Sequence, residues 1–373
     1  MRKVLHVFKL YYPEKFGGVQ RAIYDIAEGT VDYGYASTVF ALSKKPNSDG
    51  FDVGRHDAVT FSQQAYIAST GFSIPAAMAF RKHASEADII HYHFPWPFMD
   101  ILHSTLNAQK PTIITYHSDI VKQGRLLRLY KPLMHRFLKS ADRIIATSPN
   151  YLQSSRVLQR YSEKTTVIPL AMPADEQPCE PSIVEKWRAK VGEGYFLFLG
   201  ALRYYKGLDT LISVARTTGL PIVIAGTGRQ SHSLKAYAPE NVRFIGHYTD
   251  KDRAALLSLA HAFVFPSNRR SEAFGMSLLE AARASLPLIC CEIGTGTTFV
   301  NKHEETGLVV PPNDPNALAD AMRRLDNDHG LAKRLGNNAR ARFLQHFTTA
   351  KTSNLYAQTY EDLLSTHGQT AAA

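Results

Sequence analysis

The sequence predicts an α/β protein of two domains. At 373 residues the chain is longer than one ordinary hydrophobic core supports, so two cores are the expectation. Short apolar runs recur along it, closed by glycine, proline or histidine and followed by helical patterns, as strands and helices alternate in α/β sheets. Near the middle, 171–182 holds Pro173, Pro178 and Pro181 among charged residues and reads as a linker.

The composition, 45% hydrophobic and 20% charged, is that of a soluble globular protein. No apolar run approaches the ~20 residues a membrane span needs. Residues 1–8 read as a first strand, not a leader, because Lys9 cuts the apolar run short. Cys179, Cys290 and Cys291 show no metal spacing, and the adjacent pair lies in an expected buried strand; this usage suits a reducing cytoplasm. The net charge is +10, and 21 Lys and Arg against 14 Asp and Glu before residue 176 put +7 of it in the first half. Such a half-protein suits an anionic substrate, an anionic membrane surface or nucleic acid. The basic residues are not interleaved with aromatics as single-strand binders require, which argues against nucleic acid.

In the first half, 3–8 and 36–42 read as strands flanking a helix over 19–33. Gly17-Gly18 opens that helix directly after a strand, where backbone can approach a phosphate closely; a plain turn fits as well. The runs 88–93 and 112–117 are strands ending in His91, His93 and His117. Ligands of parallel sheets bind beyond the carboxyl ends of strands, so His117 is placed for binding, although a lone strand-end histidine is more often structural. His91 and His93 are read as structural. Residues 119–139 form a helix with an apolar stripe (Leu126, Leu127, Tyr130, Leu133, Met134, Phe137, Leu138) accompanied by Lys122, Arg125, Arg128, Lys131, Arg136 and Lys139. It fits an anionic bilayer surface or a plain helix packed on its own sheet. Residues 143–148 and 166–169 complete this half.

The second half opens with a buried strand at 195–200. Arg203 and Lys206 follow its end, where cations can neutralise a leaving diphosphate. Residues 222–228 read as a strand and glycine-rich turn, 242–247 as another strand, and 288–291 as a buried one. Helices are expected from about 316 and 331 and over 352–364, with a disordered tail at 369–373.

The most informative stretch is 265–280. An apolar run, 262–265, ends at Pro266-Ser267; a polar loop follows, and a helix begins near Gly275. Glu272 lies in the loop and Glu280 in the helix's second turn. Between them the backbone N–H groups of Phe274, Gly275, Met276 and Ser277 are orphan donors at a helix start, a ready phosphate site. Two acids bracketing an anion site suit a phosphorylated ligand with hydroxyls on both sides, as in a nucleotide sugar.

This stretch resembles the Glu-x7-Glu motif of retaining glycosyltransferases of family 4. The likeness extends through Phe-Pro-Ser at 265–267, Glu-Ala-Phe-Gly at 272–275, Leu-Glu-Ala-Ala at 279–282 and Thr-Gly-Leu-Val-Val-Pro-Pro at 306–312, and covers essentially the whole chain. It implies the GT-B fold: two doubly wound, Rossmann-like parallel-sheet domains facing a central cleft. The expected limits are 1–170 for the acceptor domain, 171–182 for the linker, 183–350 for the nucleotide-sugar domain, 351–366 for a helix crossing back to the first domain, and 367–373 for the tail. By the same resemblance His117 contacts the transferred sugar near its reacting carbon, Glu272 binds sugar hydroxyls and Glu280 the ribose. The loop at Gly17 and Gly18 faces the donor diphosphate and the acceptor. Lys206 and the N–H groups of 274–277 hold the diphosphate, joined by Arg203 if its segment stays extended, and the loop at His247 takes the base. The family's usual arginine position holds Ala201 here, with Arg203 two residues on, while Lys206 matches directly.

The implied reaction is transfer of a hexose to a hydroxyl with retention, by a front-face route in which the departing β-phosphate takes the acceptor proton. No Asp-x-Asp motif stands in a suitable place, so no metal is expected. Tyr11-Tyr12-Pro13, Gly17-Gly18-Val19-Gln20, 202–207 and 292–297 are similar to bacterial mannosyl- and D-rhamnosyltransferases that build O-antigen from GDP-sugars. The expected acceptor is a lipid-linked glycan at the cytoplasmic face of the inner membrane, with the protein peripheral there. The alternatives are a UDP-hexose donor, or another GT-B enzyme, an epimerase or synthase, with a soluble acceptor.

Overall fold

The computed structural model describes residues 1–14, 17–68, 70–106, 110–120, 124–175 and 179–372. The chain divides into two compact units, Met1–Ala171 with Thr349–Ala373, and Met172–Thr348.

The strands of the first unit are β1 (Arg2–Leu10), β2 (Tyr35–Ser43), β3 (Asn47–Val53), β4 (His56–Ser62), β5 (Ala65–Ile67), β6 (Thr70–Phe72), β7 (Ile89–Phe94), β8 (Thr112–Tyr116), β9 (Arg143–Ala146) and β10 (Thr165–Val167). Eight of them form one sheet in the order β10-β9-β8-β7-β1-β2-β4-β3, while β5 and β6 make a separate hairpin. The large sheet is parallel except for β3, which runs antiparallel to β4 at the edge. The central strands bury nearly every side chain, as a sheet covered by helices on both faces must. Helix Gly18–Thr30 lays Ala22, Ile23, Ile26 and Ala27 inward. The last helix, Thr349–Ala372, returns to this unit, where Tyr356, Ala357, Tyr360 and Leu363 join Val4, Ile26, Ile89, Ile113 and Ile145 in one core.

The second unit holds β11 (Tyr195–Leu199), β12 (Ile222–Ala225), β13 (Val242–Gly246), β14 (Ala260–Phe265), β15 (Leu288–Cys291) and β16 (Gly307–Val310). They form a wholly parallel sheet in the order β13-β12-β11-β14-β15-β16. Strand order reverses between β1 and β7 in one unit and between β11 and β14 in the other, the topology of doubly wound sheets.

Several details differ from the sequence expectation. The β3–β4 hairpin and helix Ile74–Glu86 had no counterpart in it. The helix expected over 119–139 runs Gly124–Ser140. Asp119 is kept in the loop because its carboxylate accepts hydrogen bonds from the Tyr116 and Ser155 hydroxyls, at 3.0 and 2.7 Å. Lys122 and Pro178 lie outside the described residues, as does the terminal Ala373. The tail expected to be disordered continues the last helix to Ala372. Helix Pro181–Val191 starts within the segment read as linker, with proline at its first position where no N–H is needed.

Candidate active site

The carboxyl ends of β11 and β14 carry the site of the second unit. After β11 the chain turns through Arg203, extended at φ −125° and ψ 153°, into a short 3-10 turn, Tyr204–Lys206. Gly207 leaves that turn at φ +66°, and a Cβ there would lie 2.0 Å from the Pro266 carbonyl oxygen. Only glycine lets the two strand ends pass so closely. A hydrogen bond from the Asn268 N–H to the Tyr205 carbonyl, 3.0 Å, fastens the turn to the loop after β14. Lys206 is thereby carried over the Phe265 ring, 4.4 Å from its centroid, and its Nζ meets Glu272 Oε2 at 2.5 Å. Both side chains are close to buried, 10% and 13% exposed. In such a buried pair each member compensates the other's charge until a ligand does so instead.

Helix Met276–Arg283 begins directly beyond. Gly275 is its N-cap at φ +92° and ψ 68°, a left-handed conformation that L side chains rarely adopt. Among the described residues, the N–H groups of Phe274, Gly275, Met276 and Ser277 make no backbone hydrogen bond. Four donors without a backbone partner at the positive end of a helix dipole are the chemistry of a phosphate cradle. Glu280, in the helix's second turn, lies 3.4 Å from Arg253 Nη1, which also binds Asp250 at 2.7 Å. Tyr248 stands by this group, and burial, reinforced by the Glu280 charge, pushes its hydroxyl up to about 12. His247 is exposed at the end of edge strand β13. Arg203 is exposed as well, and its charge acts on the neighbouring Tyr205 hydroxyl.

In the first unit, Gly17 caps helix Gly18–Thr30 with ordinary extended dihedrals, φ −112° and ψ −172°, so its conformation does not itself demand glycine. Its N–H donates to Gln20 Oε1 at 3.2 Å, and the Gln20 amide donates to the Leu10 carbonyl at 3.2 Å, tying the helix start to the end of β1. His117 follows β8, two strands from β1 in the same sheet. It belongs to a buried row of histidines from three adjacent strands. His6 of β1 pairs in register with His91 of β7, and His93 lies two residues further. His93 Nδ1 is 3.0 Å from His117 Nε2, and His93 Nε2 is 3.1 Å from His6 Nδ1. Burial alone lowers His117 to about 3, and it lowers His6 to about 3 and His91 and His93 well below the usual imidazole range. All four are neutral at pH 7. His117 can therefore give or accept a hydrogen bond but brings no charge.

Nitrogens of His6, His91 and His93 come within 4.8 Å of one another, a spacing at which a metal ion could be held. They are engaged otherwise: the His91 and His93 rings stack, 4.4 Å apart at 25°, and His6 Nδ1 and His93 Nε2 are hydrogen-bonded to each other at 3.1 Å. Imidazole lone pairs lie in the ring plane, so stacked faces do not converge on one ion. His91 is also fully engaged, with Tyr360 OH and Thr115 Oγ1 each at 2.7 Å.

Three groups at these sites were not singled out from sequence: Arg253 beside Glu280, Tyr205 beside Lys206 and Arg203, and His6 at the head of the row. Arg253 lay one helical turn beyond Thr249-Asp250, a capping pattern that could have drawn attention to it. His6 carried no signal, because a histidine inside an apolar strand reads as core.

Residues 16–176 match the family described as Glycosyltransferase Family 4, and residues 180–342 match Glycosyl transferases group 1. The chain is 44% identical over 366 residues to the O-antigen chain mannosyltransferase C of Escherichia coli, covering 97% of this chain and 99% of that one. The chain belongs to glycosyltransferase family 4. This glycosyltransferase is also 46% identical to the D-rhamnosyltransferase WbpZ of Pseudomonas aeruginosa, over 93% of its own length and 92% of the relative's. Among solved structures it superposes on the sucrose-phosphate synthase of Thermosynechococcus elongatus with a TM-score of 0.82 at 22% identity, covering 98% of this chain and all of that one. WaaG, a glycosyltransferase involved in lipopolysaccharide biosynthesis, follows at 0.69 and 17%, over 96% of this chain and 99% of that one. The fold is the GT-B fold of these enzymes.

Proposed function

We propose that this glycosyltransferase moves mannose or D-rhamnose from a GDP-sugar to a lipid-linked glycan, with retention at the anomeric carbon. The observation that carries the reading is the helix start at the ends of β11 and β14, where four N–H groups without a backbone partner among the described residues lie near the Lys206–Glu272 pair. In the proposed mechanism the N–H groups of 274–277, with Lys206 and Arg203, stabilise the negative charge that grows on the β-phosphate as the glycosidic bond breaks. Lys206 turns from Glu272 toward the diphosphate, leaving the Glu272 carboxylate to bind sugar hydroxyls. Glu280 receives the ribose hydroxyls, the loop at His247 takes the base, and the loop at Gly17 and Gly18 serves the diphosphate and acceptor. His117, neutral, gives the sugar a hydrogen bond. The departing phosphate accepts the acceptor's proton in a front-face transfer, and the diphosphate charge is met by cations and N–H groups without a metal. The mannosyl and rhamnosyl preference is supported by the two relatives at 44% and 46% identity.

We also propose that the enzyme is peripheral on the cytoplasmic face of an anionic inner membrane. Among the described residues no helix is long and apolar enough to cross a bilayer. Helix Gly124–Ser140 buries Met134, Phe137 and Leu138 yet leaves Leu129 80% exposed beside Arg128 and Lys131. Leu126, 53% exposed and one turn from Leu129, shares its side of the helix, and an exposed apolar pair on a helix rich in cations suits the headgroup region of such a membrane.

The donor is tested by the rise in unfolding temperature with GDP, UDP and ADP at equal concentration, since a ligand of the folded state stabilises by RT ln(1 + [L]/Kd). GDP is expected to give the largest shift. A larger shift with UDP would overturn the GDP assignment, and no shift with any of them would overturn the donor site.

A further inference from the structure

We propose that Ser37, His6 and His93 are positioning residues that fix the tautomer of His117, so that its Nδ1 carries a hydrogen for the transferred sugar. The proposal rests on the reading that His117 faces that sugar.

The row runs from Ser37 Oγ to His6 Nε2, 3.3 Å, from His6 Nδ1 to His93 Nε2, 3.1 Å, and from His93 Nδ1 to His117 Nε2, 3.0 Å. Ser37, His6 and His93 are buried, and His117 is 5% exposed. Each neutral imidazole has one N–H and one bare nitrogen, so the hydrogens along the row must all point the same way. Only two polarities exist. In one, Ser37 O–H donates to His6 Nε2, His6 Nδ1–H to His93 Nε2, and His93 Nδ1–H to His117 Nε2, which leaves His117 protonated at Nδ1. In the other every bond reverses, His6 Nε2–H donates to Ser37, and His117 Nδ1 is bare.

The Ser37 end of the row chooses between them. Among the described residues the Ser37 hydroxyl has no partner other than His6, so the reversed polarity would strand a buried hydroxyl hydrogen. An orphaned buried donor is costly. With a sugar hydroxyl at His117 Nδ1 that nitrogen is paired in either form, since a hydroxyl both gives and accepts. The Ser37 end therefore decides, and only the first polarity leaves no buried donor orphaned. At the far end His117 Nδ1 is buried and unpartnered. It is the one place along the row where a hydrogen-bonding group of a ligand is called for, and the first polarity makes it a donor to a sugar oxygen. His91 stands outside the relay, because its two nitrogens are bonded to Tyr360 and Thr115.

The test is the tautomer itself, read in the unmodified enzyme by one-bond and long-range nitrogen–proton correlation spectra of histidine-labelled protein, with His117→Gln identifying the signals. The hydrogen is expected on His117 Nδ1. A hydrogen on Nε2 overturns the proposal, whatever the role of His117. Addition of the donor nucleotide sugar is expected to shift the His117 nitrogens. If Nδ1 carries the hydrogen, but donor leaves those signals in place and His117→Ala transfers sugar normally, the sugar contact fails and the proposal fails with it, by a route that leaves the tautomer assignment standing. A second readout uses His6. His6→Leu is expected to lower kcat about fivefold to tenfold, with the acceptor KM unchanged, as a misdirected hydrogen bond in the transition state would. His6→Asn, whose amide N–H can replace Nδ1–H, is expected to recover most of that loss; equal defects in the two variants would overturn the relay.

Discussion

Burial of four imidazoles at the middle of one sheet has a consequence for stability that can be signed. His6, His91, His93 and His117 are all held well below the ordinary imidazole value by loss of hydration. Below pH 6.5 the unfolded chain takes up protons at these residues that the folded chain does not. Their contribution is therefore fully present above that pH and is lost as pH falls toward about 3, at up to about 1.4 kcal/mol per pH unit for each. Asp25, raised to about 6 by burial, and Asp100, raised well above the carboxylate range by the same cause, act in the opposite sense, since the fold takes up their protons before the unfolded chain does. Four against two leaves a net loss on acidification. The thermal midpoint of the first unit is expected to fall measurably from pH 7 to pH 5 in calorimetry. A midpoint that stays level would mean that these histidines bind protons in the fold, contrary to their burial.

Between helices Gly18–Thr30 and Thr349–Ala372 the contact is made through Gly29. A Cβ at this position would lie 1.8 Å from Ser353 Oγ and 2.7 Å from Ser353 Cβ. Helix propensity alone favours alanine over glycine by about 1 kcal/mol, but overpacking costs about 1–3 kcal/mol. Gly29→Ala is expected to destabilise the protein, and Gly29→Ala with Ser353→Gly to recover most of the loss, both measured by denaturant midpoint. If Gly29→Ala proves stabilising, the close approach is not a constraint. This helix pair shows what patterning could and could not reveal. Both helices were expected from apolar periodicity, but that the last one joins the first unit was known only from a family resemblance. The Tyr356–Thr115 and Tyr360–His91 contacts link residues 241 and 269 positions apart, the Gly29 contact spans more still, and nothing local marks them. The β3–β4 hairpin was illegible for another reason. Asn47-Ser48-Asp49-Gly50 reads as a turn, and its order comes from ladder bonds at a sheet edge instead of from an apolar face.

Over the whole chain, the excess of positive charge lies mainly in the first half, which also carries the basic helix with exposed Leu126 and Leu129. Each basic residue near an anionic surface adds roughly 1 kcal/mol at low salt. The enzyme is expected to sediment with vesicles containing anionic lipid and not with neutral ones, and to be released by high salt. Replacing Leu126 and Leu129 by Ser is expected to weaken the association about tenfold or more, since each leucine loses apolar burial of about 1.5–3 kcal/mol at most. Binding to neutral vesicles that salt does not alter would sink the electrostatic reading.

Strand and helix alternation, the two-core organisation and the Glu272–Glu280 stretch were all determined by the sequence, because each is written in neighbouring residues: apolar period, glycine and proline punctuation, and acids at fixed spacing on a loop and the helix it leads into. Tertiary structure alone decided which charges meet. Lys206 reaches Glu272 because β11 and β14 are neighbours in the sheet and Gly207 lets their ends pass, and Glu280 finds Arg253 from a different helix. The histidine row is the clearest case. His6 and His93 look like core residues in their own strands and His117 like a lone strand-end histidine. They become a hydrogen-bonded chain only because parallel pairing sets β1, β7 and β8 side by side, where burial strips their charge and leaves the direction of each hydrogen to be set by the next ring.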